Sequence, residues 1–197
     1  MSLRLVSEAT GTLTVDGAAS SLSLGTAQNG RYTFGGNASD LIGLGVTALG
    51  TTPAGGSVSF DVLRPDGFTL WSGSASGPTS VQLPALPLAG TYTLRAMPSE
   101  TKAATLTLLL SRPLTGALTV DGAATVFQTT RVGQTGRYTF SGTAGQGVTL
   151  QATAGATFPD GAWVYVYRPE GSQLTSTFLT SNVDTKLDLG LLPVTGT

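Results

Sequence analysis

The sequence predicts an all-β protein of two tandem antiparallel β-sandwich domains, jelly-roll-like in kind, the second truncated at its C-terminal end. Three observations predict it. Apolar residues alternate with polar ones at period two, Gly- and Pro-marked turns cut the chain into short segments, and four blocks recur in one order. Gly11-Thr12-Leu13-Thr14-Val15-Asp16-Gly17-Ala18-Ala19 returns as Gly116-Ala117-Leu118-Thr119-Val120-Asp121-Gly122-Ala123-Ala124. Gly30-Arg31-Tyr32-Thr33-Phe34 returns as Gly136-Arg137-Tyr138-Thr139-Phe140, and Arg64-Pro65-Asp66-Gly67 as Arg168-Pro169-Glu170-Gly171. Leu86-Pro87-Leu88-Ala89-Gly90-Thr91 returns as Leu192-Pro193-Val194-Thr195-Gly196-Thr197. A period of about 105 residues is too long for a solenoid unit and right for a domain.

Each element follows from its residues. Leu3-Arg4-Leu5 aligns with Leu108-Leu109-Leu110, so residues 3–7 resemble the last strand of a preceding repeat. Asp16-Gly17 and Asp121-Gly122 read as turns that need an Asx side chain and a positive φ, in preference to acidic metal ligands. Arg31 and Arg137 open the same Tyr-Thr-Phe strand in both repeats, where a salt bridge or an edge-protecting charge is expected rather than ligand recognition. Val58, Phe60 and Val62 alternate with Ser57, Ser59 and Asp61, a strand with one buried face. In Arg64-Pro65-Asp66-Gly67, Pro supplies a φ of about −65° and Gly the positive φ of a turn. Leu106, Leu108 and Leu110 alternate with Thr105 and Thr107 as another half-buried strand.

Ser111-Arg112-Pro113-Leu114-Thr115 is the joint between repeats, because Pro113 cannot continue a ladder. The domains are therefore expected at residues 1–111 and 112–197. Thr197 aligns with Thr91, so the second domain is expected to lack its last one or two strands, the counterparts of Tyr92 to Leu110. Inward residues such as Tyr92 and Leu94 contribute about 1.5–3 kcal/mol each on burial. A neighbouring chain is accordingly expected to cover the bare sheet, as a strand-swapped or edge-paired oligomer.

Composition excludes much chemistry. The chain of 197 residues has no Cys and no His, which removes disulfides, thiolate zinc sites, cysteine nucleophiles and any Ser-His-Asp triad. A net charge of −1 with scattered basic residues offers no phosphate-binding field, so no nucleic acid partner is expected. No run approaches the roughly 18 apolar residues of a membrane span. Met1-Ser2-Leu3 lacks the charged and apolar regions of a signal peptide and reads as the start of a fragment of something longer. About a quarter of the chain is Thr plus Ser, 27 residues are Gly and only 11% are charged, which fits a robust extracellular sandwich.

The run Leu83-Pro84-Ala85-Leu86-Pro87-Leu88-Ala89-Gly90-Thr91-Tyr92-Thr93-Leu94 resembles the hallmark of bacterial pre-peptidase C-terminal domains. A second Leu/Thr strand at Ala104 to Leu110, the Arg31-Tyr32-Thr33-Phe34 strand and the Arg64-Pro65-Asp66-Gly67 hairpin are also similar. The resemblance covers the first repeat fully and the second up to Thr197. It implies non-catalytic sandwiches appended to secreted enzymes, or tandem arrays in large surface proteins such as adhesins. Some relatives bind calcium, collagen or polysaccharide. No acidic calcium cluster is matched here, so no metal or other cofactor is implied.

Candidate sites are few. Aligning the two hairpins through Arg64 and Arg168 places Phe60 and Val62 opposite Val164 and Val166 as inward positions. The outward positions are Ser59, Asp61 and Leu63 in the first repeat but Trp163, Tyr165 and Tyr167 in the second. Such rings would stand in a row about 6.6–6.8 Å apart, a candidate platform for a polysaccharide or protein ligand. The competing reading is an interface, buried by a loop, the other domain or a second chain. Asp61 with Asp66, and Asp184 with Asp188, are the only carboxylate pairs worth weighing for glycoside hydrolysis. Asp66 lies in a turn, Lys186 separates the second pair, and Asp61 becomes Tyr165 in the other repeat, so no catalytic residue is expected. The function read from sequence is a non-enzymatic structural or adhesion module of a secreted or cell-surface protein. The alternative is a carbohydrate- or protein-binding module that uses Trp163, Tyr165 and Tyr167.

Overall fold

The computed structural model describes residues 3–99, 102–153 and 161–197, and these form strands, turns and loops without a helix. Contacts divide the chain into two compact units: Met1–Thr115 with Phe127–Arg137, and Gly116–Val126 with Tyr138–Thr197.

The first unit is a two-layer β-sandwich. Its strands are β1 (Ala9–Thr12), β2 (Ser20–Leu24), β3 (Gly30–Gly36), β4 (Gly43–Thr52), β5 (Val58–Leu63), β6 (Thr69–Ala75), β7 (Thr79–Gln82), β8 (Gly90–Pro98) and β9 (Ala103–Ser111). One sheet has the order β1-β3-β8-β5-β6 and the other β2-β9-β4-β7. Alternation decides which side chains face inward. Along β8, Tyr92, Leu94 and Ala96 are buried while Thr93, Arg95 and Met97 are not fully so. Phe34, Val58, Phe60 and Val62 join them from the same sheet, and Leu24, Leu44, Val46, Leu106, Leu108 and Leu110 meet them from the facing one. The rings of Phe34 and Tyr92 stack at 5.5 Å between centroids. The Tyr92 hydroxyl donates to the Leu88 carbonyl at 2.7 Å and accepts from the Leu88 N–H at 3.2 Å. The Leu88-to-Tyr92 stretch is thereby tied to the start of the strand it introduces.

The turns behave as their residues require. Asp16 and Asp121 stand at φ of 61° and 58°, followed by Gly17 and Gly122 donating to Thr14 and Thr119 carbonyls at 3.0 and 2.9 Å. The Asp16 carboxylate accepts from the Arg112 backbone N–H at 2.8 Å and from its guanidinium at 3.2 Å. Gly67 and Gly171 close the two Arg-Pro turns at φ of 86° and 92°. The Arg64 and Arg168 carbonyls accept from these glycines at 2.9 and 2.8 Å.

Segment Phe127–Arg137 packs within the first unit. The Arg131 guanidinium donates to the buried Ser111 Oγ at 2.8 Å and to the Gly17 and Leu110 carbonyls at 2.6 and 3.1 Å. The Gln82 side chain donates to the Gly133 carbonyl at 2.6 Å. Close approach to β4 requires glycine there: a Cβ on Gly43 would run into the Gly133 carbonyl oxygen.

The strands of the second repeat are β10 (Leu114–Ala117), β11 (Gly136–Thr139), β12 (Gly147–Thr153), β13 (Ala162–Tyr167), β14 (Gln173–Leu179) and β15 (Asp184–Leu191). They form three separate pairs, β10-β11, β12-β15 and β13-β14. Registers repeat residue for residue. Leu150 opposes Leu187 as Leu44 opposes Val81, and Ala162 opposes Leu179 as Val58 opposes Ala75. Even the bulge after Val62 recurs after Val166. Val166, Leu189 and Leu192 make a small core with Phe140, Val148, Leu174 and Leu187, the counterparts of Val62, Leu83, Leu86, Phe34, Ile42, Leu70 and Val81. Among the described residues nothing takes the places of β8 and β9. Phe140 and Val148 are therefore only half-buried where Phe34 and Ile42 are 1% and 0% exposed.

Two expectations meet the structure differently at the N-terminal end. Leu3-Arg4-Leu5, read as a strand of a preceding repeat, is not in a sheet here. Arg31 does form the expected ion pair, with Glu8 at 2.6 Å, but Pro113 stands at the counterpart of Glu8, so Arg137 makes no ion pair among the described residues.

Replacing Tyr92 by Phe leaves the Leu88 groups without their partner and should cost about 1 kcal/mol; Tyr92→Ala should cost about 3–5 kcal/mol. Chemical denaturation followed by circular dichroism measures both. Asp40 accepts from the Asn37 N–H at 3.0 Å and from Arg112 at 3.2 Å, and these bonds hold its carboxyl below the ordinary value of 3.8. Its contribution is present above that value and lost as pH falls through the lowered one. With no His or Cys side chain to titrate, the unfolding midpoint should stay level from about pH 7 to pH 5 and drop below about pH 4. Asp40→Asn should make that acid limb shallower.

Candidate functional site: an aromatic face on one hairpin

The hairpin of β13 and β14 is formed by alternation on both sides of the Arg168-Pro169-Glu170-Gly171 turn. Val166 points inward and is buried, which leaves the intervening side chains on the outer face. Trp163, Tyr165 and Tyr167 are 60%, 49% and 57% exposed. Trp163 and Tyr165 stack at 5.9 Å between centroids with 24° between planes, and Tyr165 and Tyr167 stand 6.4 Å apart.

The structure adds a fourth ring. Phe178 lies opposite Trp163 across the ladder, 44% exposed, its ring edge-on to the indole at 5.4 Å. Sequence reasoning passed over it because β14 reads as polar around it. Its place depends on the bulge after Val166: counting back evenly from Tyr167 and Gln173 pairs 163 with 177, and the bulge moves the partner to 178. Ser176 opposes Tyr165 and Gln173 opposes Tyr167, and their side chains are joined at 3.3 Å, so polar groups flank the rings.

Charge is confined to the turn tip. The Arg168 guanidinium donates to Ser172 Oγ and the Gln173 carbonyl, both at 2.9 Å, and Ser172 donates to Glu170 at 2.7 Å. That last bond holds the Glu170 carboxyl below its usual range. The arrangement can stack against flat apolar surfaces and offer hydrogen bonds at the margin, without charge selection.

The same face of the first unit differs. Ser59 opposes Ser74 there, and Asp61 accepts from Ser72 at 2.9 Å and pairs with Arg95 at 3.5 Å. Asp66 is bound to Arg64, whose bonds keep its carboxyl below the ordinary range. Asp184, Lys186 and Asp188 share the exposed face of β15, and Asp188 accepts from the Gly190 N–H at 2.8 Å. Among the described residues every carboxyl with a shifted pKa is lowered, whereas a general acid needs one raised. No group of three or more metal-ligating side chains occurs among them either. A depression of about 470 Å³ on the first unit, bordered by Ser21, Ser23, Thr105 and Thr107, contains no titratable group.

No protein-family model matches the chain, and no curated protein matches it. Among solved structures it is similar to Aeromonas hydrophila PliG, a periplasmic inhibitor of g-type lysozyme. The two are 16% identical with a TM-score of 0.35, over 52% of this chain and 98% of that one. It is also similar to the pre-peptidase C-terminal domain of the Bacillus anthracis collagenase, at 14% identity and a TM-score of 0.39, over 52% of this chain and 95% of that one.

Exposure of the face has an optical consequence. The chain has two tryptophans: Trp71, partly buried against the first core, and Trp163. Trp163→Phe should remove the red-shifted, acrylamide-quenchable part of the emission and leave a bluer, protected band.

Proposed function

We propose that this chain is a non-catalytic structural and adhesion module of a secreted or cell-surface protein, and that its second repeat makes the adhesive contact. The observation that supports this reading is the uncharged, exposed face of Trp163, Tyr165, Tyr167 and Phe178, which has no counterpart in the first repeat. A module serving only as a spacer has no use for a difference between its two surfaces. Four adjacent rings exposed to water cost solubility, a cost that a ligand-binding role explains.

The ligand class that fits is a neutral polysaccharide. Sugar rings present flat C–H faces to aromatic planes, and hydroxyls at their rims would meet Gln173 and Ser176. Catalysis is not part of the proposal: among the described residues Glu8, Asp16, Asp40, Asp61 and Asp66 are ion-paired, and Glu170 and Asp188 are hydrogen-bonded in turns.

Pull-down on insoluble cellulose, chitin and collagen tests the reading, with Trp163→Ala alongside. Retention on a polysaccharide that weakens about tenfold in the variant, equivalent to about 1.4 kcal/mol, is the expected result. Retention on collagen with the same loss would keep the face and change the ligand to protein. Retention that survives Trp163→Ala, or none on any matrix, overturns the binding role and leaves a spacer.

A further inference from the structure

Within the first unit, β4 opens with two glycines that alternate with the core residues Leu44 and Val46 and so face outward, yet both are buried. The turn of residues 131–134 lies on them. Glycine weakens a strand interior and marks a place where another backbone comes close. A Cβ on Gly43 or Gly45 would run into the Gly133 or the Val132 carbonyl. Gln82, opposite Gly43 on β7, donates to that same Gly133 carbonyl. Beside this notch the Arg131 guanidinium enters a socket of three neutral oxygens: Ser111 Oγ and the Gly17 and Leu110 carbonyls. No carboxylate takes part, so the socket selects a planar fork of donors by geometry.

The form of the turn occurs in both repeats. Gln28 and Gln134 donate from their N–H to the Gly25 and Arg131 carbonyls at 3.0 and 3.2 Å, and Ala27 and Gly133 have φ of 61° and 78°. Both glutamine side chains also reach back, to the Ser7 and Arg112 carbonyls at 3.0 and 3.4 Å. The docking residues, by contrast, are not repeated. Gly25 stands where Arg131 does, and Ala27 where Gly133 does. On the receiving side the registers put Thr149, Gln151 and Asp188 at the places of Gly43, Gly45 and Gln82.

We propose that Gly43, Gly45 and Gln82, with the oxygens of Ser111, Gly17 and Leu110, form a recognition site for a turn of the type Arg-x-Gly-Gln, and that recognition between the two repeats runs one way. The second repeat presents the turn and the first presents the site. The reverse pairing fails on both sides: the Thr149 and Gln151 side chains take up the room that the turn backbone needs, and a turn with Gly25 in place of Arg131 brings no guanidinium to a socket. Residues that differ between the repeats at both halves of one contact are what selective pairing requires, whereas a passive linker needs neither the glycines nor the arginine. This site goes beyond the ligand-binding reading and uses none of the rings.

Limited trypsin digestion of the full chain, read by mass spectrometry, tests the site, because Arg131 is itself a cleavage point that docking protects. Cleavage after residue 131 is compared with cleavage after exposed Lys186 on β15. Gly43→Ala/Gly45→Ala adds only two methyl groups, which should expel the turn and raise the relative cleavage at 131 at least tenfold. Arg131→Lys keeps the charge and the cleavage point, leaves β4 untouched and cannot reach the three oxygens as a fork, so it should raise cleavage there by a similar factor. Cleavage after Arg95, on a central strand of the other sheet, should stay slow in both variants, which separates undocking from unfolding. Cleavage at 131 as fast as at Lys186 in the natural chain, protection that survives either variant, or an equal rise at Arg95 overturns the proposal. Trp163→Ala should leave the pattern unchanged, so failure here and failure of the adhesive reading are separable.

Discussion

Backbone pairing through two central strands holds the first unit together. β8 joins β3 to β5, and β9 joins β2 to β4, so every other strand of the unit reaches its sheet through one of these two or through a strand that does. Their inward side chains, from Tyr92 to Ala96 and from Ala104 to Leu110, also fill the middle of the core. Hydrogen bonding and apolar burial thus depend on the same residues. The cost of removing such a strand is double, because neighbouring backbone groups lose partners as the core loses contacts.

The second repeat shows what remains without them. Among the described residues three ribbons keep the registers of their counterparts down to a single bulge, and no strand pairs one ribbon with another. Turn chemistry and alternation therefore set strand pairing locally, in keeping with the two Arg-Pro turns and the two Asp-Gly turns having the same geometry. Assembly of ribbons into sheets is a separate matter, decided by the strands between them. Residues 126–130, aligned with strand β2, illustrate the difference. β2 has β9 beside it, whereas the aligned stretch forms no strand, and the segment Phe127–Arg137 instead lies against β4, where Gly43 and Gly45 leave room.

Much of this was legible in the sequence. Period-two alternation identified the inward faces of β5 and β9, and the internal repeat identified Trp163, Tyr165 and Tyr167 as outward positions that had been Ser59, Asp61 and Leu63. Phe178 was not singled out, since its place on the face depends on cross-strand register and not on its own neighbours. The anchoring of Arg131 on Ser111, Gly17 and Leu110 was not legible at all. It is a long-range contact through a side chain to main-chain acceptors, and no local pattern marks it. Leu3 and Leu5 show the limit from the other side: their alternation is that of a strand, but a strand exists only where an edge receives it.

The hairpin that carries the rings keeps its charges at the turn tip, where Arg168 and Glu170 are engaged by Ser172 and the Gln173 backbone. An encounter with this face therefore draws no guidance from a long-range field. On the adhesive reading proposed above, attraction would begin at van der Waals distance, capture would follow collision frequency, and ionic strength would change neither approach nor hold to any great extent. A surface of this kind works equally in fresh water and in brine.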